Sequence, residues 1–231
     1  MKMIFDKKTI ISAAAAALAL LSFSTAANAQ QDRTRIKDLQ SHIYYFASDS
    51  LQGRKAGTES SAKAARYIAN EFQKAGVLPL FDDGYEMPFS RDGYSEYNFF
   101  DVVGYIPGSD PVLKSEIIVI GAHFDHLGVR YDGEVFNGAD DNASGSAALI
   151  EVAKLLTKDP SKIKRTVILC GFDGEEMGLF GSYALAKQLK TDDVLQNVKL
   201  MISVDMVGWL KAGGALMMEG TGTIKNGDRI L

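Results

Sequence analysis

Cysteine is almost absent from this sequence: Cys170 is the one thiol in 231 residues. No disulfide can close within the chain, so a disulfide scaffold is excluded. Cys170 lies in the apolar run Thr166-Val-Ile-Leu-Cys-Gly171, where it reads as a small core residue rather than a nucleophile. A basic excess is also lacking. The formal charge of −4 argues against a nucleic-acid or anionic-membrane partner, since either calls for a basic face. Histidine is scarce, with only His42, His123 and His126, and none follows. Beyond the N-terminal stretch there is no internal repeat and no low-complexity segment.

What is present begins with an export signal. Lys2, Lys7 and Lys8 form a basic head, Thr9 to Ala29 carries no charge, and Ala27-Asn28-Ala29 is a small-x-small cleavage pattern. An uncharged stretch of about 20 residues could just span a bilayer, but its Ser/Thr/Ala/Asn-rich end favours removal. Residues 1–29 are therefore expected to be a signal peptide cut before Gln30. The mature chain would be periplasmic or extracellular, with no stable membrane association. Its formal charge would be −6, three lysines and one aspartate having gone.

The remainder is long enough to bury a core within one domain. Residues 30–97 read as an N-terminal helical and loop region and 98–231 as a catalytic core. Helices are predicted over Arg35–Ser48 and, more clearly, Ser60–Ala75. There Ala65, Ile68, Ala69 and Phe72 share one face, and Gly76 is placed to end the helix. His42, on the first of these helices, reads as structural. From residue 99 the pattern alternates. Strands are predicted at Phe99–Ile106, Glu116–Ala122, Arg165–Phe172 and Lys199–Val204, the last three continuously apolar and hence buried, with a further start at Ala215–Glu219. Helices are predicted at Ser144–Leu156, apolar almost all round, and Leu179–Leu189. This alternation predicts a three-layer αβα fold with a mostly parallel mixed sheet and helices on both faces. Ligands in such folds bind outside the carboxyl ends of the strands.

Those strand ends carry the chemistry. Glu116–Ala122 runs into His123-Phe-Asp125-His126-Leu-Gly128, and Arg165–Phe172 into Asp173-Gly-Glu175-Glu176-Met-Gly178. Lys199–Val204 runs into Asp205-Met-Val-Gly208. Between the first two lies Asn137-Gly-Ala-Asp140-Asp141-Asn142-Ala-Ser-Gly145. Converging carboxylates need a positive partner, yet no Lys or Arg lies inside these motifs. A divalent metal pair is the economical answer, and mixed nitrogen and oxygen donors suit zinc.

GAHFDHLG, NGADDNASG, DGEEMGLFGS and SVDMVG, in this order, resemble the successive metal motifs of the co-catalytic zinc aminopeptidases of bacteria. That superfamily also holds glutamate carboxypeptidases, glutaminyl cyclases and the catalytically silent transferrin-receptor ectodomain. The similarity spans about residues 99 to 220. The upstream run YYFASDSLQGRKAGT is similar to the N-terminal region of the exported members. The resemblance implies two zinc ions, peptide substrates and an exopeptidase activity. His123 and Asp205 would ligate one zinc, Asp141 would bridge, and Glu176 would ligate the second. Asp125 would orient the His123 imidazole, Glu175 would be the general base, and the Asp141–Asn142 peptide would be cis. Asp141 is preferred to Asp140 as the residue two before Ala143 in the matching motif.

His126 reads as an ordinary loop histidine, with substrate contact or a place near the site as the alternative, and Trp209 as core or pocket wall. The family pattern supplies one more histidine beyond the Asp205 motif. This chain is accordingly expected to be truncated at its C-terminal end and impaired in zinc affinity at the Glu176 site.

Overall fold

The structure, a computed structural model, describes residues 32–209 and 214–223. The expected signal segment, 1–29, lies outside the described residues. The chain divides into two units, Met1–Ser41 and His42–Leu231. In the first, residues 32–41 are helical; they open helix α1, which covers 32–46 and so ends within the second unit.

The second unit is built on one sheet. Its strands are β1 (Leu78–Pro79), β2 (Glu86–Phe89), β3 (Phe99–Ile106), β4 (Ile117–His123), β5 (Thr166–Phe172) and β6 (Val198–Ser203). Their order is β1-β3-β5-β4-β6, with β2 also pairing β3. Strands β4, β5 and β6 are parallel, while β3 runs antiparallel to β5, so the sheet is mixed. The helices are α2 (Glu59–Ala75), α3 (Gly145–Thr157) and α4 (Phe180–Thr191).

Alternation along the central strands sorts their side chains between two cores. Val102, Ile106, Ala122, Val167 and Leu169 face one layer with Ala65, Ile68 and Phe72 of α2 and Leu149, Ile150 and Ala153 of α3. Val103, Val119, Ile168, Cys170 and Phe172 face the other, against Leu185 and Leu189 of α4. Helices therefore cover both faces, as the sequence pattern predicts, and Cys170 is a buried core residue. Local signals set the ends of α2. The Thr58 N–H donates to Ser61 Oγ at its start, and Gly76 adopts φ 80° just past its end. His42 is buried and structural, with Nδ1 2.7 Å from the Tyr67 hydroxyl and Nε2 2.9 Å from Lys154 Nζ.

Two expectations are corrected. β6 forms where predicted, but it is not buried: Met201 and Ile202 are each more than two-fifths exposed. Among the described residues it is the last strand of the sheet, paired with β4 alone. Ala215–Glu219 is no strand either. Its residues are exposed, it pairs with nothing among the described residues, and Gly214 and Gly220 at its borders are left-handed. Among the described residues no helix is long and apolar enough to cross a membrane.

Candidate metal centre

The parallel strands deliver their C-terminal residues to one rim. His123 closes β4, Asp173 follows β5, and Asp205 lies two residues beyond β6. The fourth motif reaches the same rim through a tight turn, Ala139–Ser144, in which the Asp141–Asn142 peptide is cis. Asn142 secures this turn. Its Oδ1 accepts from the Gly145 N–H at 2.8 Å and the Met206 N–H at 3.3 Å, and its Nδ2 donates to Val204 O at 3.0 Å. Capping the start of α3 is thus Asn142's task, which leaves Asp141 free. Asp140 is engaged elsewhere, accepting from the Gly208 N–H at 2.8 Å. Asp141, not Asp140, faces the histidines.

The structure brings together all six residues selected from the sequence. His123 Nε2 lies 3.3 Å from Asp141 Oδ1, 3.4 Å from Asp205 Oδ1 and 4.0 Å from Glu175 Oε2. Glu176 Oε1 accepts from His126 Nδ1 at 2.6 Å, and Asp141 Oδ2 is 3.8 Å from the same nitrogen. Two groups result, His123–Asp141–Asp205 and His126–Asp141–Glu176, the donor atoms of each lying within 4.8 Å of one another. Asp141 belongs to both and turns one oxygen to each.

The test of fit for a metal pair is this donor set. Each group offers one imidazole nitrogen and two carboxylates, a borderline mixture that suits zinc better than an all-oxygen cage for magnesium or calcium would. The histidine in the second group departs from expectation. His126 is nine-tenths buried against Glu176, not an ordinary loop histidine. Only its position three residues after His123 hinted at that. Trp209, by contrast, is two-thirds exposed and belongs to no core among the described residues.

Asp125 is fully buried beneath the two groups. Its carboxylate stands 3.6 Å from His123 Nδ1, somewhat beyond hydrogen-bond length, while its backbone carbonyl is 3.2 Å from that nitrogen. The same carboxylate accepts the backbone N–H of Glu175 at 3.1 Å and of Glu176 at 3.2 Å. It therefore fixes both glutamates as well as facing the imidazole. Burial opposes charge on His123, but Asp125, Glu175 and Asp205 outweigh it and hold the imidazole up at about 9. Burial pushes the Glu175 carboxyl above its ordinary value; Asp125, Glu176 and Asp205 add to the rise and His123 opposes it. An elevated carboxyl of this kind suits a general base.

Asp173, inside the β5 motif, is a buried acid rather than a ligand. Its carboxylate accepts the Gly57 N–H at 3.2 Å and the Gly174 N–H at 3.0 Å, and its own N–H donates to buried Asp101 at 2.9 Å. Burial, helped by the Asp125 charge, pushes Asp173 up to about 8 from an ordinary 3.8. The folded chain then holds this proton where the unfolded chain has released it. Stability from this group is complete below about pH 4 and lost as pH rises towards 8. Between pH 5 and 8 the unfolding free energy of the parent should fall more steeply than that of Asp173→Asn, by about 1–3 kcal/mol after screening and relaxation. Urea titrations at the two pH values would show it; equal slopes would contradict the assignment.

The α/β sheet, with helices on both faces, thus gathers two His/carboxylate groups with metal-ligating donors at its strand exits. Residues 101–226 match Peptidase family M28, and the chain belongs to that family. It is 29% identical over 209 residues to a probable leucine aminopeptidase 1 of Trichophyton verrucosum, covering 88% of this chain and 50% of that one. The chain thus spans about half the length of the curated relatives it matches. Among solved structures, BSAP, a zinc aminopeptidase from Bacillus subtilis, superposes with a TM-score of 0.56 at 15% identity, over 74% of this chain and 69% of that one. A glutaminyl cyclase from an Acidobacteriales bacterium gives 0.57 at 22% identity, over 74% and 58%. At these identities the two structures speak for the fold.

Proposed function

We propose that this chain carries the centre of a zinc-dependent aminopeptidase that removes N-terminal residues from peptides, and that it acts outside the cytoplasm once residues 1–29 are cut away. The observation that carries the reading is Asp141, which turns one carboxylate oxygen to each of two His/carboxylate groups, with Glu175 beside them. The leucine aminopeptidase relatives favour the amino-terminal specificity. The segment at 1–29 supports export by its basic head, uncharged run and small-x-small end.

In this reading His123 and Asp205 would hold one zinc ion, Glu176 would contribute to a second, and Asp141 would serve both. Bound there, the ions would polarise the scissile carbonyl and acidify a water. The chain's own residues do the rest. Asp125 keeps the His123 imidazole oriented and anchors the amides of Glu175 and Glu176, so the two glutamates leave one turn in different directions. Glu175 accepts the proton of the attacking water and returns it to the leaving amine. Burial, which raises its carboxyl above the ordinary value, favours the return of that proton.

A panel of aminoacyl-arylamides, assayed before and after chelation and again after zinc is restored, tests the proposal. Hydrolysis lost to chelator and regained with zinc, strongest on apolar N-terminal residues, is the expected result. Pyroglutamate formation from N-terminal glutamine peptides without any hydrolysis would replace it with a cyclase, and activity indifferent to chelator would sink it.

A further inference from the structure

The motifs contain no arginine or lysine, yet a guanidinium lies buried under the centre. Just before α2 the chain passes through three successive left-handed residues, Gln52, Gly53 and Arg54, with φ of 47°, 65° and 50°. Two of these carry side chains, and such backbone persists only where its surroundings enforce it. Gly53 has no alternative, since a Cβ there would stand 2.2 Å from Gly128 O and 2.6 Å from Phe136 O. The turn is stitched to the His126 loop, with the His126 N–H donating to Arg54 O at 3.1 Å and the Gly128 N–H to Gly53 O at 3.0 Å.

This turn aims Arg54 inwards, where it is fully buried. Its Nε donates to Phe124 O at 2.8 Å and its Nη1 to Asn137 O at 2.7 Å and to Phe46 O. Nη2 donates to Gly138 O at 3.0 Å and, weakly, to Asp141 O at 3.5 Å. Phe124 stands between His123 and Asp125, and Asn137 to Asp141 is the approach to the shared carboxylate. One planar fork therefore grips both ligand loops by their carbonyls. Burying a guanidinium costs several kcal/mol unless its donors are satisfied and its charge is answered. The carbonyls meet the first need; Asp125, Asp141 and Glu176 answer the charge. A plain tie between chain segments could be made with neutral side chains at less cost.

We propose that Arg54, which lies upstream of residues 101–226, is a positioning residue of the metal centre. It sets the His123–Asp125 and Asn137–Asp141 loops against each other, so that His123 and Asp141 meet in ligating geometry. The proposal rests on the two-ion reading above. Lysine keeps the charge but offers a single point of donation in place of the fork, so charge and geometry can be separated.

The test compares the full chain with Arg54→Met and Arg54→Lys by zinc competition against a chromogenic chelator, the visible spectrum of the cobalt-loaded protein, and amide exchange. Arg54→Met should weaken zinc binding about 10–100-fold, as loss of an outer-shell partner does, and alter the cobalt spectrum. Arg54→Lys should recover little of either. Amides of His126, Gly128 and Ala143 should exchange faster in both variants, with those of β5 unchanged. A folded Arg54→Met with parental zinc affinity and cobalt spectrum overturns the proposal even if its melting temperature falls, and so does full recovery by lysine. A parent that takes up neither metal defeats the two-ion reading instead. Amide exchange then decides alone, with selective loosening of the two loops supporting Arg54's role and a uniform or absent change refuting it.

Discussion

Substituting Asp141 by alanine is expected to strip zinc from both ligand groups at once, weakening retention at least about 100-fold, beyond what loss of an outer-shell partner does. Asp141 is the residue common to the two groups. Its Oδ1 lies 3.3 Å from His123 Nε2 and its Oδ2 3.8 Å from His126 Nδ1. Removing that carboxylate leaves each group with two of its three donors and lowers the negative charge that would hold both cations. Asp205→Ala is the informative contrast, because Asp205 belongs to the His123 group alone. It should lower zinc in the His123 group and leave the His126 group as it is in the parent. Zinc per chain after exhaustive dialysis, measured by atomic emission for parent and both variants, checks the pair. The fold should withstand either change, since Asn142 carries the cap of α3 and Arg54 binds the loop through backbone carbonyls. An Asp141→Ala protein that keeps the parental zinc content would remove the shared-ligand assignment.

The rim of the sheet was open to reading from sequence because its logic is local. Continuous apolar runs ending in His or carboxylate fix β4 and β5 to within a residue, and β3 falls at Phe99–Ile106 as read. The fate of Asp140 and Asp141 is less local. Both are acidic and adjacent, and they part where the Gly208 amide of another segment, with the Ser144 hydroxyl, takes Asp140. A family motif could select between them; periodicity could not. The exposure of β6 escaped for a related reason. An apolar strand sequence tells of an affinity for burial, whereas actual burial depends on what lies beyond the edge.

His126 and Arg54 mark where local reading stops. A histidine in a loop has no periodicity to betray it, and the course of this loop is set by pairing with the turn at Gly53 and Arg54, more than seventy residues earlier. Arg54 is as hidden in the sequence. It lies 70 residues from Phe124 and 87 from Asp141, in the run YYFASDSLQGRKAGT, whose likeness to exported relatives assigns no role to any one of its residues. Its signal was the Gln-Gly-Arg turn itself, a place where glycine supplies a left-handed bend, but nothing nearby says what the bend delivers.

Glu175→Gln is the second large effect expected, and it separates chemistry from metal binding. Glutamine matches glutamate in size and keeps the backbone N–H that Asp125 holds at 3.1 Å, so the turn after β5 should stay in place. What goes is the proposed proton acceptor. Glu175 Oε2 stands 4.0 Å from His123 Nε2, at the edge of the His123 group and outside both ligand sets. Loss of a general base typically costs 10²–10⁴-fold, and a drop of about that size in kcat on an aminoacyl-arylamide is expected, with KM little changed. Zinc content should equal the parent's. Its neighbour should give the opposite pattern: Glu176→Gln would weaken the proposed ligand 2.6 Å from His126, so zinc should fall first and turnover with it. Adjacent glutamates that differ in this way can exchange roles in only one manner. If Glu175→Gln loses zinc while Glu176→Gln retains it, base and ligand are reversed, and the path of the proton runs through Glu176 instead.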